Sequence, residues 1–457
     1  MAATGAAALA MMVAACTDGP STSEPSTSAP VTTAAATSSG PATTRVPEWE
    51  KVVPGDGCEC ADGSEFAFWV RPADPTKVVL FLDGGGACWD ATTCAFTDEE
   101  STTYDWNISA DDDPALEHGI FELSNPDNPF AGYSFVYVPH CTGDVHLGDV
   151  TREYSPEVTV EHNGFVNGTA ALTYLTESFP DAEQVVVVGE SSGSVAAPVY
   201  AGLTSDSLPE ARVAVLADSS GAYPDDPELN ADILGQWDTF ETMPDWEVND
   251  GLTAKEWAIP RFWVQAGLHD PEIVMARFDY ANDERQASMM ELAGVDASNL
   301  IASIDANEAA IERAGVTQHS YTAAGSDHGI VGDGSFYRME VDGITLVDWV
   351  QALLGGEPPD DVHCEQCQPT PNTVDTGAER PDDPQTADLL EQLTAVAECM
   401  RGKGYTMADP SIDDQGHVYL LPPLDDAGSQ EEIERQDADN NACAAQAGLG
   451  PPATDED

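Results

Sequence analysis

Positive charge is what this chain most lacks. Its 457 residues include 16 Lys and Arg against 82 Asp and Glu, a formal net charge of 16 − 82 = −66. Lys51, Lys77, Lys255 and Lys403 are its only lysines. A polyanion of this kind repels nucleic-acid phosphates and anionic membrane surfaces, which excludes a nucleic-acid partner. The apolar opening at residues 1–15 (MAATGAAALAMMVAA) is shorter than the ~20 residues a membrane-spanning helix needs. No fixed-period repeat is visible either. Yet 42% of residues are hydrophobic, enough for a sizeable core, so disorder throughout is excluded. A surface so acidic suits salty surroundings, because at about 1 M salt the Debye length falls to roughly 3 Å and self-repulsion is screened.

The opening reads as a signal-peptide core ending in Val13-Ala14-Ala15-Cys16, which resembles a bacterial lipobox with Cys16 as the lipidated residue. No Lys or Arg precedes the apolar run. Residues 17–46 are rich in Ser, Thr, Pro and Ala and read as a flexible tether. The expectation is an extracellular lipoprotein that touches the membrane only through its N-terminal lipid and acts as a monomer. Nine further cysteines follow Cys16, and in an oxidising compartment disulfides are their default state. An odd number leaves one thiol over. Cys364-Glu-Gln-Cys367, with His363 before it, offers three soft ligands and no second CxxC, so a local disulfide is expected there rather than zinc.

The main body spans residues 47–356. Runs at 65–70, 77–83, 133–139, 183–189, 211–218, 272–278 and near 317–322 read as strands, several apolar throughout, as in a parallel sheet buried on both faces. Helical stretches alternate with them, most clearly at 164–179. The fold class is therefore α/β, an α/β-hydrolase-like, mostly parallel sheet flanked by helices. Residues 357–384 read as a linker and 385–450 as a small helical module, with helices at 386–402 and roughly 429–447 stapled by Cys399 and Cys443.

Chemistry concentrates at Gly189-Glu190-Ser191-Ser192-Gly193. It fits G-x-S-x-G after four valines and before a helix-compatible run, the strand, sharp turn and helix that a nucleophile elbow requires. Ser191 is the expected nucleophile, and the Ser192 N–H is an oxyanion donor. Asp83-Gly84-Gly85-Gly86-Ala87-Cys88-Trp89 ends another strand, and its glycines allow backbone N–H groups to face a developing oxyanion. A base and an acid should follow the serine. His328, in Gly325-Ser326-Asp327-His328-Gly329 just past the last strand, is the best-placed base; His319 falls within a strand. Asp218, Asp279 and Asp283 all lie at strand ends, and spacing alone does not choose among them.

The set LDGGGACWDATTC, YVPHCTGDVHLGD, HNGFVNGTAALTYL, VVVVGESSGS, VLADSSGAYPD and GSDHGI, spread over residues 50–356, resembles the pectin acetylesterase/Notum family of serine carboxylesterases. The resemblance implies Ser191 as nucleophile, His328 as base, and an oxyanion hole from Gly85, Gly86 and Ser192. Its catalytic Asp lies in a D-x-x-Q pattern, matched here by Asp283-Glu284-Arg285-Gln286. It also implies a disulfide Cys88–Cys94 beside the oxyanion loop and a second joining Cys141 to Cys58 or Cys60, with Cys58 preferred. Departures are Ser192, where family members often carry Ala, and Ala87, followed by Trp89, where they often carry an aromatic. Asp144, His146 and Trp89 are expected to line the cleft.

The expected reaction is hydrolysis of a carboxylic ester, an O-acetyl or short acyl group on a carbohydrate, by a Ser-His-Asp triad needing no metal or organic cofactor. A deacylase, polyester depolymerase or thioesterase on the same triad, and a non-catalytic binding protein, are the alternatives. Acetylated pectin is itself a polyanion, so a chain of charge −66 either meets it in high salt or takes a neutral substrate.

Overall fold

The computed structural model describes residues 48–356 apart from 56, 97–102 and 111, then 358–364, 367 and short stretches beyond, chiefly 373–374 and 384–403. The expected signal peptide with Cys16 and the expected tether lie outside the described residues, as does most of the expected helix at 429–447. Two compact units divide the chain, Met1–Cys367 and Gln368–Asp457.

In the first unit the strands are β1 Glu50–Val52, β2 Phe68–Arg71, β3 Asp74–Leu82, β4 Tyr133–Val138, β5 Val150–Ser155, β6 Val158–His162, β7 Gln184–Glu190, β8 Arg212–Asp218, β9 Val274–Tyr280, β10 Gln318–Ala323, β11 Glu340–Val341, β12 Ile344–Thr345 and β13 Val362–His363. The helices are α1 Gly164–Ser178, α2 Ser192–Ser207, α3 Pro227–Leu234, α4 Thr239–Thr242, α5 Ile259–His269, α6 Glu284–Leu292, α7 Leu300–Arg313 and α8 Leu346–Gly355. A nine-stranded sheet runs β1-β2-β4-β3-β7-β8-β9-β10-β13. From β4 to β13 every neighbouring pair is parallel; β2 is antiparallel to β1 and β4. The fold is thus the α/β layered arrangement the alternation of strands and helices predicts.

The valine run of β7 shows why these strands carry apolar residues at every position. Val185 and Val187 enter one core with Leu80, Leu82, Ala197 and Phe262; Val186 and Val188 enter the other with Phe81, Leu216 and Phe278. Successive side chains of a strand point to opposite faces, so a sheet covered twice needs an apolar residue at each step. Each such valine, fully buried, contributes about 1.5–3 kcal/mol.

Val362–His363, within the expected linker, joins the sheet, and one expected disulfide is corrected. Val362 pairs with Tyr321, and Cys364 donates its N–H to Thr322 O, so this segment closes the sheet edge. Cys141 is bonded to Cys60, not Cys58. The Ala61 N–H bonds to Cys141 O at 2.8 Å, which brings Cys60 beside its partner with a Cα–Cα distance of 5.1 Å. Cys88–Cys94, Cys364–Cys367 and Cys399–Cys443 are bonded as expected.

In the second unit, α9 (Pro384–Lys403) packs Val396, Ala397 and Met400 with Cys443 in a small core.

Candidate active site

At the C-terminal edge of the sheet β7 turns abruptly into α2. Ser191 stands at this corner with φ +50°, a left-handed conformation that non-glycine residues rarely adopt and that costs about 1–3 kcal/mol. The flanking glycines are forced by close backbone approach: a Cβ on Gly189 would fall 2.4 Å from Gly193 O, and one on Gly193 would fall 2.0 Å from Leu82 O. The Ser191 N–H is held by Asp218 O at 2.8 Å.

His328 reaches this serine from the loop after β10. Its Nε2 lies 2.8 Å from Ser191 Oγ, and its Nδ1 lies 2.8 and 3.0 Å from the two carboxylate oxygens of Asp283. The His328 side chain is 22% exposed and that of Asp283 is fully buried. Asp283 caps α6 by accepting the Gln286 N–H at 2.8 Å, while Gln286 Nε2 donates to its other oxygen at 3.0 Å. Gln286 Oε1 accepts the Ala222 N–H at 3.0 Å. The D-x-x-Q spacing therefore has a physical meaning: it is a helix cap whose glutamine clamps the acid. The histidine and aspartate loops are also joined through backbone, Asn282 N–H to Gly325 O and Glu284 N–H to Ser326 O, both 3.0 Å.

The other two aspartates do different work. Asp218 accepts the N–H groups of Ile330 and Val331 at 2.6 and 2.8 Å, and Ser219, whose Oγ bonds Asp218, also accepts the Gly329 N–H. It therefore anchors the loop carrying His328. Burial raises its pKa to about 6 against the opposing pull of those N–H groups. Asp279 is paired with the buried Arg277 guanidinium and accepts the Gly221 N–H at 2.8 Å. Asp83, at the end of β3, accepts the Tyr137 hydroxyl, and burial pushes it up to about 8.

Beside Ser191 opens a cleft lined by Gly86, Trp89, Ser192, Val195, Trp237 and Met289 among others. Arg285 is the one charged side chain among the described residues of its lining. Gly86 bridges to Tyr104 in a pair whose hydrogen bonds run through its neighbours, Asp105 N–H to Gly85 O and Ala87 N–H to Thr103 O. The Gly86 N–H is left out of that ladder, and a Cβ at Gly86 would strike Thr103 O at 2.0 Å. Ser192 opens α2, where an N–H has no partner within the helix.

Of the expected site residues, Ser191, Ser192, Gly86 and Trp89 meet at the cleft, with His328 and Asp283 bonded in series to Ser191. Gly85 is not in the cleft wall. Its place is behind, where a Cβ would fall 2.9 Å from His140 Nδ1 and 3.0 Å from Asp105 Oδ2. Asp144 and His146 do not line the cleft either. Both are buried, because Asp144 must satisfy Thr142 Oγ1 and the Gly164 and His146 N–H groups, and His146 Nε2 bonds Asp83 O at 2.9 Å. His140 went unrecognised in the sequence; its signal is its place in YVPHC, just past the end of β4, where the loops of a parallel sheet build sites. Leu229, Ile233 and Trp237 in the cleft wall come from a segment with no strand or motif to mark it. The sulfurs of Cys364 and Cys367, near His363, are tied up in their disulfide rather than available as thiolate ligands.

Residues 51–242 match the pectinacetylesterase family model. No curated protein sequence matches the chain. Among solved structures, the Wnt deacylase Notum from Drosophila is similar in fold, with a TM-score of 0.52 and 16% identity over 71% of this chain and 98% of that one. The likeness to the pectinacetylesterases thus covers residues 51–242, and it indicates a carboxylic ester hydrolase.

Proposed function

We propose that Ser191 is the nucleophile of this hydrolase, His328 its base and Asp283 the residue that orients the base. The observation that carries the reading is the unbroken series Ser191 Oγ–His328 Nε2 at 2.8 Å and His328 Nδ1–Asp283 at 2.8 Å. His328 takes the serine proton as Oγ attacks the ester carbonyl. The N–H groups of Gly86 and Ser192 donate hydrogen bonds to the carbonyl oxygen as it becomes charged; each such donor is typically worth about 10²–10³ in rate. The alcohol leaves with the proton from His328. Water then attacks the acyl-serine by the same route in reverse. Asp283 holds the imidazole in one tautomer and stabilises its charged form.

The acyl group favoured by the cleft is an apolar one larger than acetyl, since Trp89, Val145, Val195, Leu229, Trp237 and Met289 offer it surface to bury. The fold neighbour is named a deacylase, which agrees with such a group. The family model's name favours a second reading, an acetyl ester on a polysaccharide. A series of p-nitrophenyl esters from acetyl to decanoyl separates the two. A kcat/KM that rises beyond acetyl supports the first, and a steady fall from acetyl supports the second. Loss of turnover in Ser191→Ala tests the triad itself. Four disulfides, the apolar leader and the Ser/Thr/Pro-rich segment support secretion and lipid anchoring at Cys16. The −66 charge supports work in high salt.

A further inference from the structure

Behind the wall formed by Gly86 and Ser192, packed against Gly85, lies a buried histidine that the reaction steps leave unused. The side chain of His140 is fully buried. Its Nδ1 is 3.4 Å from Ser192 Oγ, and its Nε2 accepts the Asp144 N–H at 3.3 Å, with Asp144 Oδ1 at 3.5 Å. An Nε2 that accepts leaves the ring proton on Nδ1, so the ring donates toward the Ser192 hydroxyl. Asp144 is held by Thr142 Oγ1 and the Gly164 N–H at 2.7 Å each, and His146 beside it bonds Asp83 O. The network therefore ties together the ends of β3 and β4 and the first residues of α1 and α2.

The same ring supports the glycine loop. Gly85 packs so closely on it that any Cβ would fall 2.9 Å from Nδ1 and 3.1 Å from the His140 carbonyl, with Asp105 at 3.0 Å on the other side. The groups facing the imidazole are thus Asp105, Asp144, Ser192 and the His146 ring, whose centroid is 4.7 Å away. Burial raises Asp105.

We propose that His140 is a positioning residue of the oxyanion hole, fixing Ser192 through its hydroxyl and the Gly85–Gly86 backbone by packing, so that the two N–H donors converge before substrate arrives. This rests on the reading of Ser191 as nucleophile. A preorganised hole stabilises charge at no reorganisation cost, so its loss weakens the transition state and leaves substrate binding alone.

The test is a double-mutant cycle of His140→Gln and Ser192→Ala on one neutral p-nitrophenyl ester, with the affinity of phenylboronic acid, whose serine adduct carries a charged oxygen, measured in parallel. Each single change should lower kcat about 10-fold with KM moved less than about 2-fold, and boronate affinity should fall with kcat/KM. The double variant should be no slower than the slower single one, because both cut the same link. Losses that multiply, a rise in KM at constant kcat, or unchanged boronate affinity would overturn the proposal. Should His140→Gln not fold, Ser192→Ala decides: wild-type kcat in that variant overturns it, and a 10-fold loss at constant KM supports it. Failure of the nucleophile assignment is read separately, as turnover persisting in Ser191→Ala.

Discussion

Ser191 and Ser192 are neighbours, and each faces a histidine that in turn faces an aspartate. The first set is tight and reachable. Its bonds are 2.8 Å, Ser191 borders the cleft, and His328 is 22% exposed. The second is longer and closed: 3.4 Å from Ser192 to His140, 3.5 Å from His140 to Asp144, with exposures of 5, 2 and 0%. The same residue types one position apart thus serve different ends. What separates them is the elbow: the left-handed φ of Ser191 projects its Oγ off the end of β7, while Ser192 already belongs to α2 and turns its side chain inward.

The largest effect expected from breaking this contrast is at Ser191. Ser191→Ala should lower kcat by about 10⁴-fold or more, against about 10-fold for Ser192→Ala, both read by p-nitrophenyl ester hydrolysis. Next comes the choice among acids. Asp283→Asn should cost about 10⁴-fold in kcat through the wrong imidazole tautomer, with little change in denaturation midpoint. Asp279→Asn should do the opposite. Stripping Arg277 of its buried partner should cost about 3–5 kcal/mol in urea unfolding, with kcat within a few-fold of wild type.

A smaller effect concerns pH. Asp83, at about 8 in the folded chain against an ordinary value of 3.8, binds a proton more tightly when folded. Its contribution is complete below about pH 4 and is lost as pH rises toward 8; Asp218, at about 6, acts in the same sense. The buried set has the reverse sign. Burial lowers His146 to about 3 from 6.5, so its stabilisation is lost on acidification. Thermal melts should therefore fall off on both sides, and Asp83→Asn should flatten the alkaline limb alone. The smallest effect is from salt: going to about 1 M NaCl should raise the melting temperature of a chain of charge −66 by screening it.

The sheet was legible because burial on both faces writes an apolar residue at every strand position, as in VVVV of β7. The elbow was legible because tight backbone packing demands glycine at 189 and 193. Asp283 could be chosen over Asp218 and Asp279 only by resemblance, since three buried aspartates at strand ends look alike until their partners are known. Those partners are a histidine, a pair of loop N–H groups and an arginine. Asp144 and His146 misled for a related reason. Polar residues in a glycine-bearing loop suggest a cleft, but here they satisfy one another and backbone N–H groups behind it. Cys60 prevailed over Cys58 through the single backbone bond of Ala61 to Cys141, which no spacing reveals.

Fluorophosphonate labelling followed by intact mass and peptide mapping tests the central claim most directly. One adduct is expected, on Ser191, in the wild type and in Ser192→Ala, and none in Ser191→Ala. An adduct in Ser191→Ala, or one mapped to Ser192, would contradict it.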